Sequence, residues 1–417
     1  MRNELSFTKV TLDDDYLEKT IEKFSSAIED QGINGDSASL EIFISMSPVR
    51  FILITCMITL IQFVESYLNK NRNTHFIFDL PRPISPGESE FRVRKVISFM
   101  YAWRFPKVVS EVIGIDFQFL LNKESFDYIS SIDDDLQHNI GNFYDTYKYF
   151  NDLSKLTERS IRSLFHQGLF CVRRYPANRQ NLLFEFDRWT DPRIEFILRS
   201  CTQRYKPLSI TQSIISEALS NILHHPNATF FTACALFRES AKHLTISYWD
   251  NGESIIQTIN SAIDKGHDVF VKERENVTWL VITGNGNSKG TSIFKSCSFN
   301  KETVISDIVL CLYAISPGIS RIASDPIKLN NKLIAGNGVG LYKSIKATTD
   351  LGGSVTLRTR RYLINISSID DKDLRQKRIV HELLQAGLDS QEVIKVRIQD
   401  NYSMFLGNQI TYRIPVN

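Results

Sequence analysis

Cysteine is scarce and scattered. The six residues, Cys56, Cys171, Cys201, Cys234, Cys297 and Cys311, form no C-x-x-C pair. Structural zinc sites and disulfide frameworks show tighter spacing. Neither is supported here, and buried free thiols in a reducing compartment are expected instead. An excess of one charge is also lacking: 49 basic residues stand against 47 acidic ones, a formal net charge of +2. That balance makes no electrostatic case for nucleic acid, whose partners show a basic surplus or patch. Long apolar runs are missing. The longest, Phe51 to Val64, is interrupted by Gln62, and a spanning helix needs about 20 apolar residues, so a buried helix is expected there. Met1 to Asp15 is polar and carries several acids, unlike a secretory leader. These absences predict a cytoplasmic protein with no membrane span. Repeats and low-complexity tracts are absent too. So is a Walker sequence: the glycine cluster Gly284 to Thr291 reads Lys-Gly-Thr rather than Gly-Lys-[Ser/Thr], and is expected to be a flexible loop.

What remains is an ordinary globular composition, 42% hydrophobic and 23% charged over 417 residues. One core rarely serves more than about 250–300 residues, so two domains are predicted. Residues 39 to 81 read as one β-α-β unit. Leu40, Ile42 and Ile44 alternate as in a strand. Ser47-Pro48 has the form of a helix start, serine at the cap and proline at the first helical position. The apolar segment to about Leu68 would be that helix, and the polar stretch Asn69 to Asn73 would end it. His75 to Leu80, closed by Pro81, reads as a second strand, and Phe91 to about Val112 as a further helical region. The order strand, serine-containing turn, helix, strand, helix resembles the STAS fold of anti-sigma-antagonist proteins. That resemblance puts Ser45 and Ser47 near a possible phosphoacceptor position; a plain capping role for Ser47 is the competing reading. Residues 115 to 195 give little pattern beyond an acidic loop, Ser130 to Asp135, and a helical stretch, Leu156 to Phe170. Asp191-Pro192 looks like a boundary turn opening the next helix.

Three later segments carry chemistry. In Ile210 to His225, Ile214, Ala218 and Ile222 and the adjacent Ile215, Leu219 and Leu223 make an apolar stripe. Ser213, Glu217, Asn221 and His225 form the row beside it, so a carboxylate, an amide and an imidazole project from successive turns. An amide oxygen can ligate magnesium, a hard cation, and a carboxylate one turn away can orient or deprotonate a water. Leu244 to Trp249 alternates as a half-buried strand and runs into Asp250-Asn251-Gly252. That tripeptide is a turn on its own merits. A carboxylate at a strand end can also accept from an adenine amino group, and a glycine lets a base lie close. Finally, Gly336, Gly338 and Gly340 open a helix carrying Leu341 and Ile345, which Gly352-Gly353 ends. Glycines at a helix start let backbone N–H groups and the positive dipole end meet a phosphate. The spacing G-x-G-x-G is not the dinucleotide fingerprint.

Glu-x-x-x-Asn on a helix, a strand ending Asp-x-Gly, and G-x-G-x-G opening a helix, in that order, resemble the GHKL superfamily of ATPases. The final stretch Phe405 to Pro415 is similar to that family's closing strand. The resemblance covers about 220 residues. It implies an α/β chain with a C-terminal Bergerat α/β sandwich, a mixed sheet with helices on one face, over 195–417. A smaller STAS-like α/β domain would fill 1–125, and a helical connector 126–194. By the same resemblance ATP and Mg2+ are the cofactors. Glu217 would be the catalytic carboxylate and Asn221 the magnesium ligand. His225 would sit at a basic position often seen at the end of that helix, or simply favour the helix C-terminus. Asp250 would take the adenine amino group and Gly252 would shape the base pocket. Gly336, Gly338, Gly340 and Leu341 would wrap the phosphates. Two positions depart from the family pattern: Ser254 replaces a second glycine, and Asn408 replaces a threonine, each counted with the nucleotide site.

The long stretch of about 253–335 would form the lid, where Arg321 or Lys328 could reach a γ-phosphate or lie solvated. A histidine-kinase reading fails at its only nearby phosphoacceptor, His166, because Gln167 and Gly168 do not fit the pattern. The expectation is a slow ATPase whose lid closure signals to a protein partner in a regulatory, stress or defence role. A serine/threonine kinase of the anti-sigma type, and an interaction module that binds ATP without hydrolysis, are the alternatives. The family's frequent dimerisation makes a homodimer possible.

Overall fold

The computed structural model describes residues 2–30, 39–85, 88, 90–133, 170–173, 214, 228–238, 243–258, 307, 311, 327–329, 332–334, 340–360, 362–367, 394–398 and 406–415. The chain is mixed α/β, with a parallel sheet and a larger sheet whose defined pairings are antiparallel. It divides into two compact units. One is Met1–Arg173 with Thr232–Leu236; the other is Arg174–Phe231 with Phe237–Asn417. The expected boundary near 191–195 lies outside the described residues.

In the N-terminal unit, β1 (Arg2–Ser6), β2 (Thr11–Leu12), α1 (Asp14–Asp30), β3 (Leu40–Ser45), β4 (Phe51–Ile52), α2 (Ile54–Lys70) and β5 (Thr74–Asp79) follow in order. Strands β1, β3 and β5 pair in parallel in that spatial order. β3, in the middle, has Ile42 and Ile44 buried on one face and Phe43 and Ser45 on the other, as expected of a strand covered on both faces. Helix α2 is buried from Ile54 to Val64 without interruption. A helix apolar all round belongs inside a core, which accounts for the long apolar run. Phe24 of α1 packs edge-on against Phe63 and Tyr67 of α2, with centroids 5.7 and 6.1 Å apart. Among the described residues no helix is long and apolar enough to cross a membrane.

Ser47 is not the cap of α2, contrary to the expectation from Ser47-Pro48. The helix starts at Ile54 behind Leu53, which makes no side-chain cap bond. The intervening residues are claimed by backbone pairing instead. Arg50 and Phe51 donate to the Val10 carbonyl at 2.7 and 3.1 Å, and β4 pairs in parallel with β2. Arg50 then locks the turn, donating to the carbonyls of Ser47 (2.6 Å), Val49 (2.9 Å) and Arg82 (2.9 Å) and to Glu88 at 2.6 Å. The helical region expected over 91–112 is likewise two helices, α3 (Glu90–Ala102) and α4 (Phe105–Ile113). Pro106 in the first turn of α4 cannot donate to a preceding turn, and Arg104 turns left-handed at φ 58°. A 3-10 turn, Phe117–Leu120, and α5 (Lys123–Ser131) follow, capped by Asp116 and Asn122.

The carboxyl edge of the parallel sheet is polar. Ser6, Ser45 and Asp79 end the three strands in register. Asp79 is 4% exposed. Its carboxylate accepts from Ser45 (3.2 Å), Asn122 (2.9 Å), Ser125 (3.3 Å) and Arg82 (3.3 Å). Ser45 is itself buried, so its hydroxyl serves this network rather than the solvent.

Beyond Asp133, β6 (Phe170–Arg173), β7 (Phe230–Arg238), β8 (His243–Asp250), the hairpin β9 (Ile327–Leu329) and β10 (Lys332–Ile334), α6 (Gly340–Asp350), β11 (Ser354–Thr359), β12 (Tyr362–Ile366), β13 (Ile394–Ile398) and β14 (Asn408–Pro415) are described. The large sheet has the order β13-β12-β11-β14-β8-β7-β6.

Two outcomes are expected of the N-terminal unit. Asp79→Ala leaves several buried donors without their shared acceptor and lowers stability by about 3 kcal/mol, read by urea unfolding; an unchanged midpoint would show that the network is not holding the sheet edge. Burial pushes the Cys56 thiol well above its ordinary pKa, with Asp14 adding to the effect. At pH 8.5 Cys56 should therefore escape iodoacetamide in the folded chain and react once urea unfolds it, as peptide mass mapping would show.

Candidate functional site

Strand β8 is buried on both faces, not half-buried as its alternation suggests. Thr245, Ser247 and Trp249 are as inaccessible as Leu244, Ile246 and Tyr248. On the polar face, the hydroxyl groups of Ser247 and Thr411, directly opposite in register, share a 2.7 Å hydrogen bond. The Trp249 indole donates to the Leu406 carbonyl at 3.0 Å.

Asp250 ends β8 on the other face and is 3% exposed. A buried carboxylate is costly unless its oxygens are met by donors. One of them accepts the Gly252 N–H at 3.0 Å. Neither Asn251 nor Gly252 has a positive φ, so Asp250-Asn251-Gly252 is not the positive-φ turn expected of that tripeptide. Asn251 is instead a staple. Its carbonyl oxygen accepts from the Thr229 and Phe230 N–H groups at 2.9 and 2.8 Å, and its amide donates to the Thr229 hydroxyl at 2.9 Å. Gly252 sits in a crowded place: a Cβ there would stand 3.0 Å from both Ala228 Cβ and Asp250 Oδ1.

The chain then enters a helical turn at Ile255–Thr258. Ser254 caps it, and Gln257 reciprocates. The Gln257 N–H donates to Ser254 Oγ (3.2 Å), while Gln257 Oε1 accepts from the Ser254 N–H (3.0 Å). This is a capping box, and it gives the serine at this position a local reason. Asn408, opposite Asp250 in the β8–β14 register, clamps the same segment. Its oxygen accepts the Ile255 N–H at 2.8 Å and its amide donates to the Glu253 carbonyl at 3.0 Å. Both ends of the Asn408 amide are thereby bonded to backbone, so it shapes the corner rather than projecting from it.

Gly407 makes this approach possible. It sits at φ +70°, and a Cβ on it would fall 1.7 Å from the Asp250 carbonyl oxygen. The register carries on to β11, where Thr359 lies opposite Asn408. Asp250, Asn408 and Thr359 therefore form a polar row across three strands at one end of an otherwise apolar face that holds Tyr248, Ile410 and Leu357. Next to the row, the Tyr362 hydroxyl donates to Asp307 at 2.6 Å.

Helix α6 begins at Gly340 as the glycine pattern predicts, and Ser344, Ile345 and Thr348 form its buried side. Gly352, at φ +75°, ends the turn, its N–H donating to the Thr349 carbonyl at 2.8 Å. Gly353 is needed for contact, since a Cβ would lie 2.4 Å from the Arg413 carbonyl oxygen. The helix packs on β11 and β14 and reverses into β11 over residues 351–353. An 11-residue helix and a 6-residue strand span similar lengths, roughly 16 and 20 Å. The start of α6 therefore lies toward the same end as Thr359, Asn408 and Asp250.

Of the residues singled out in the sequence, Asp250, Gly252, Ser254 and Asn408 thus come together, with Gly340 and Leu341 toward the same end. Glu217, Asn221, His225, Gly336 and Gly338 lie outside the described residues, as do Arg321 and His166; Ile214, on the expected helix, is helical and buried. Among the described residues no group of three or more His, Cys, Asp and Glu is placed to hold a metal ion. Gly407, Asn251, Gln257 and Thr359 were not marked as site residues in the sequence. The Ser-x-x-Gln spacing signals Gln257; the other three depend on cross-strand register, which the local sequence does not carry.

Gly407→Ala should cost at least about 2 kcal/mol, from the left-handed φ and the collision with the Asp250 carbonyl. Wild-type stability of that variant in chemical unfolding would contradict the packing of β14 on the end of β8. Comparison with family models, with curated proteins and with solved structures returned no match.

Proposed function

We propose that the chain binds Mg-ATP through a GHKL-type pocket in residues 195–417. In this reading it is a slow ATPase whose lid, residues 253–335, couples nucleotide occupancy to a protein partner in a regulatory, stress or defence role. The observation that carries the reading is the corner at the end of β8: a buried carboxylate, a glycine whose Cβ would fill the space beside it, and the start of α6 toward the same end.

In this reading the corner takes a purine base. Asp250 offers an acceptor fixed in position by Gly252 N–H. It would accept from the exocyclic amino group of adenine and oppose the carbonyl that guanine carries at that position. Asn408 and the Ser254–Gln257 box hold the backbone around it. Gly340 and Leu341 begin a helix whose N–H groups and dipole suit phosphate oxygens. The reading assigns Glu217 to orienting the attacking water and Asn221 to the metal bound with the nucleotide, which supplies Lewis-acid stabilisation of phosphate charge. His225, Gly336 and Gly338 complete the proposed pocket, and the Bergerat sandwich and STAS-like N-terminal domain belong to the same proposal.

The test follows γ-labelled ATP with magnesium in the wild type, Glu217→Ala and Asp250→Asn. Free labelled phosphate is expected from the wild type. Turnover should fall about 100-fold or more in Glu217→Ala with nucleotide still bound, and binding itself should be lost in Asp250→Asn. Label retained on protein would make the chain a kinase, and no binding by the wild type would sink the proposal.

A further inference from the structure

Three connections leave the carboxyl edge of the N-terminal parallel sheet, after Ser6, Ser45 and Asp79, which end their strands in register. Each presents a large apolar side chain to solvent: Val10, Phe51 and Ile84 are 56, 43 and 56% exposed. Phe91, in the first turn of α3 just beyond the third connection, is 66% exposed. One arginine braces the three together. The Arg50 and Phe51 N–H groups donate to the Val10 carbonyl. The Arg50 guanidinium donates to the Arg82 carbonyl and to Glu88, and Glu88 accepts the Ile84 N–H at 2.8 Å. A single exposed apolar side chain is ordinary. Several on connections braced to one another form a surface that gains only by meeting another molecule.

The charges of this end are unevenly engaged. Asp13 accepts the Tyr16 N–H, and Asp14 accepts from the Thr55 hydroxyl. Asp15 pairs with Lys19, Asp79 with Arg82, Glu88 with Arg50 and Glu90 with Arg94. Three cations are engaged by no carboxylate. Lys9 lies over the Tyr16 ring at 4.6 Å, Lys95 over the Phe91 ring at 4.4 Å, and Arg92 is exposed beside Phe91. We propose that this end of the N-terminal unit docks on an anionic phospholipid surface. Val10, Phe51, Ile84 and Phe91 would enter the headgroup boundary, and Lys9, Arg92 and Lys95 would meet the lipid anions. Apolar tips carried by separate connections at one end of a sheet suit a plane, whereas a helical or extended peptide needs a groove. Lysine and arginine stems lie along apolar surface while their heads stay in water, which is the chemistry of that boundary. Such a contact needs no spanning helix, and it stands apart from the nucleotide reading.

The experiment floats the full-length protein, at physiological ionic strength, with vesicles of phosphatidylcholine alone or of equal parts phosphatidylcholine and phosphatidylserine. The variants are Ile84→Ser with Phe91→Ser, Arg92→Gln with Lys95→Gln, and a charge-matched control, Arg72→Gln with Lys23→Gln. Arg72 is exposed at the opposite edge of the sheet, just before β5, and Lys23 is exposed on α1. Each substituted side chain is exposed, so thermal midpoints should match the wild type. Wild type should float with the anionic vesicles and not with the neutral ones. A cation near an anionic surface is worth about fivefold in partitioning, so the Arg92–Lys95 pair should weaken it about 25-fold. The Ile84–Phe91 pair should weaken it about tenfold or more. The control should partition as wild type does, since charges beyond about 8 Å are screened. Wild type that stays unfloated by anionic vesicles overturns the proposal. So does an equal loss in the control, which would mean general charge attraction, and so does unchanged flotation of the Ile84–Phe91 pair, which would mean that nothing inserts. Retention of a single-stranded RNA oligonucleotide through Arg92 and Lys95, without flotation, would also overturn it and make this edge a nucleic-acid surface.

Discussion

The architecture of the C-terminal unit depends on one pairing, β8 with β14. Eight residues of the last strand, Asn408 to Pro415, lie antiparallel along His243 to Asp250, closing a loop of more than 150 residues of sequence. Closing so long a loop is entropically costly, though the cost grows only slowly with length. The pairing returns the burial of Ile246, Tyr248, Ile410, Tyr412 and Ile414 on one face and the Ser247–Thr411 hydrogen bond on the other. β11 then adds to β14, β12 to β11 and β13 to β12, each antiparallel. The position of α6, which packs on β11 and β14, follows from that order.

The end of this pairing is also where backbones approach most closely. Gly407 stands against the Asp250 carbonyl with no room for a methyl group. Asn408, the next residue, spans from there to Glu253 and Ile255. A strand end is ordinarily a place of fraying; here three side-chain amides, those of Asn251, Asn408 and Gln257, tie it to its neighbours. Such over-determination fixes the carboxylate in place, as the proposed recognition of a base would require. The N-terminal unit uses a comparable device by itself, with Asp79 gathering donors from Ser45, Asn122 and Ser125 at the carboxyl edge of its parallel sheet.

What the sequence made legible was local periodicity. β3, α2 and β5 emerge from alternation and an apolar run, α6 from glycines at both ends, and β8 from alternation closed by Asp-Asn-Gly, while β14 was expected only through the resemblance of Phe405 to Pro415 to a closing strand. What it hid was competition between local signals and long-range partners. Ser47-Pro48 has good capping chemistry, yet Val10 takes the N–H groups of Arg50 and Phe51, and the helix waits until Ile54. Asp-Asn-Gly has good turn chemistry, yet Asn251 is drawn to Thr229 and Phe230, so the segment needs no positive φ. The β11–β12 link escaped notice because it is Arg360-Arg361, with Arg360 at φ 51°, and arginine does not signal a turn.

The same competition distinguishes two kinds of polar residue at the corner. Asn251, Ser254, Gln257 and Asn408 each have a side-chain oxygen that accepts from backbone N–H groups, so that part of their chemistry is spent on shape. Replacing any of them would disturb the site by moving it. Thr359 makes no such bond, although its burial is as complete as theirs or more so. The hydroxyl of Thr258, in the helical turn of the same corner, and the side-chain oxygen of Gln409 are likewise buried without a partner. Protein interiors seldom keep such an atom without water or ligand to bond it.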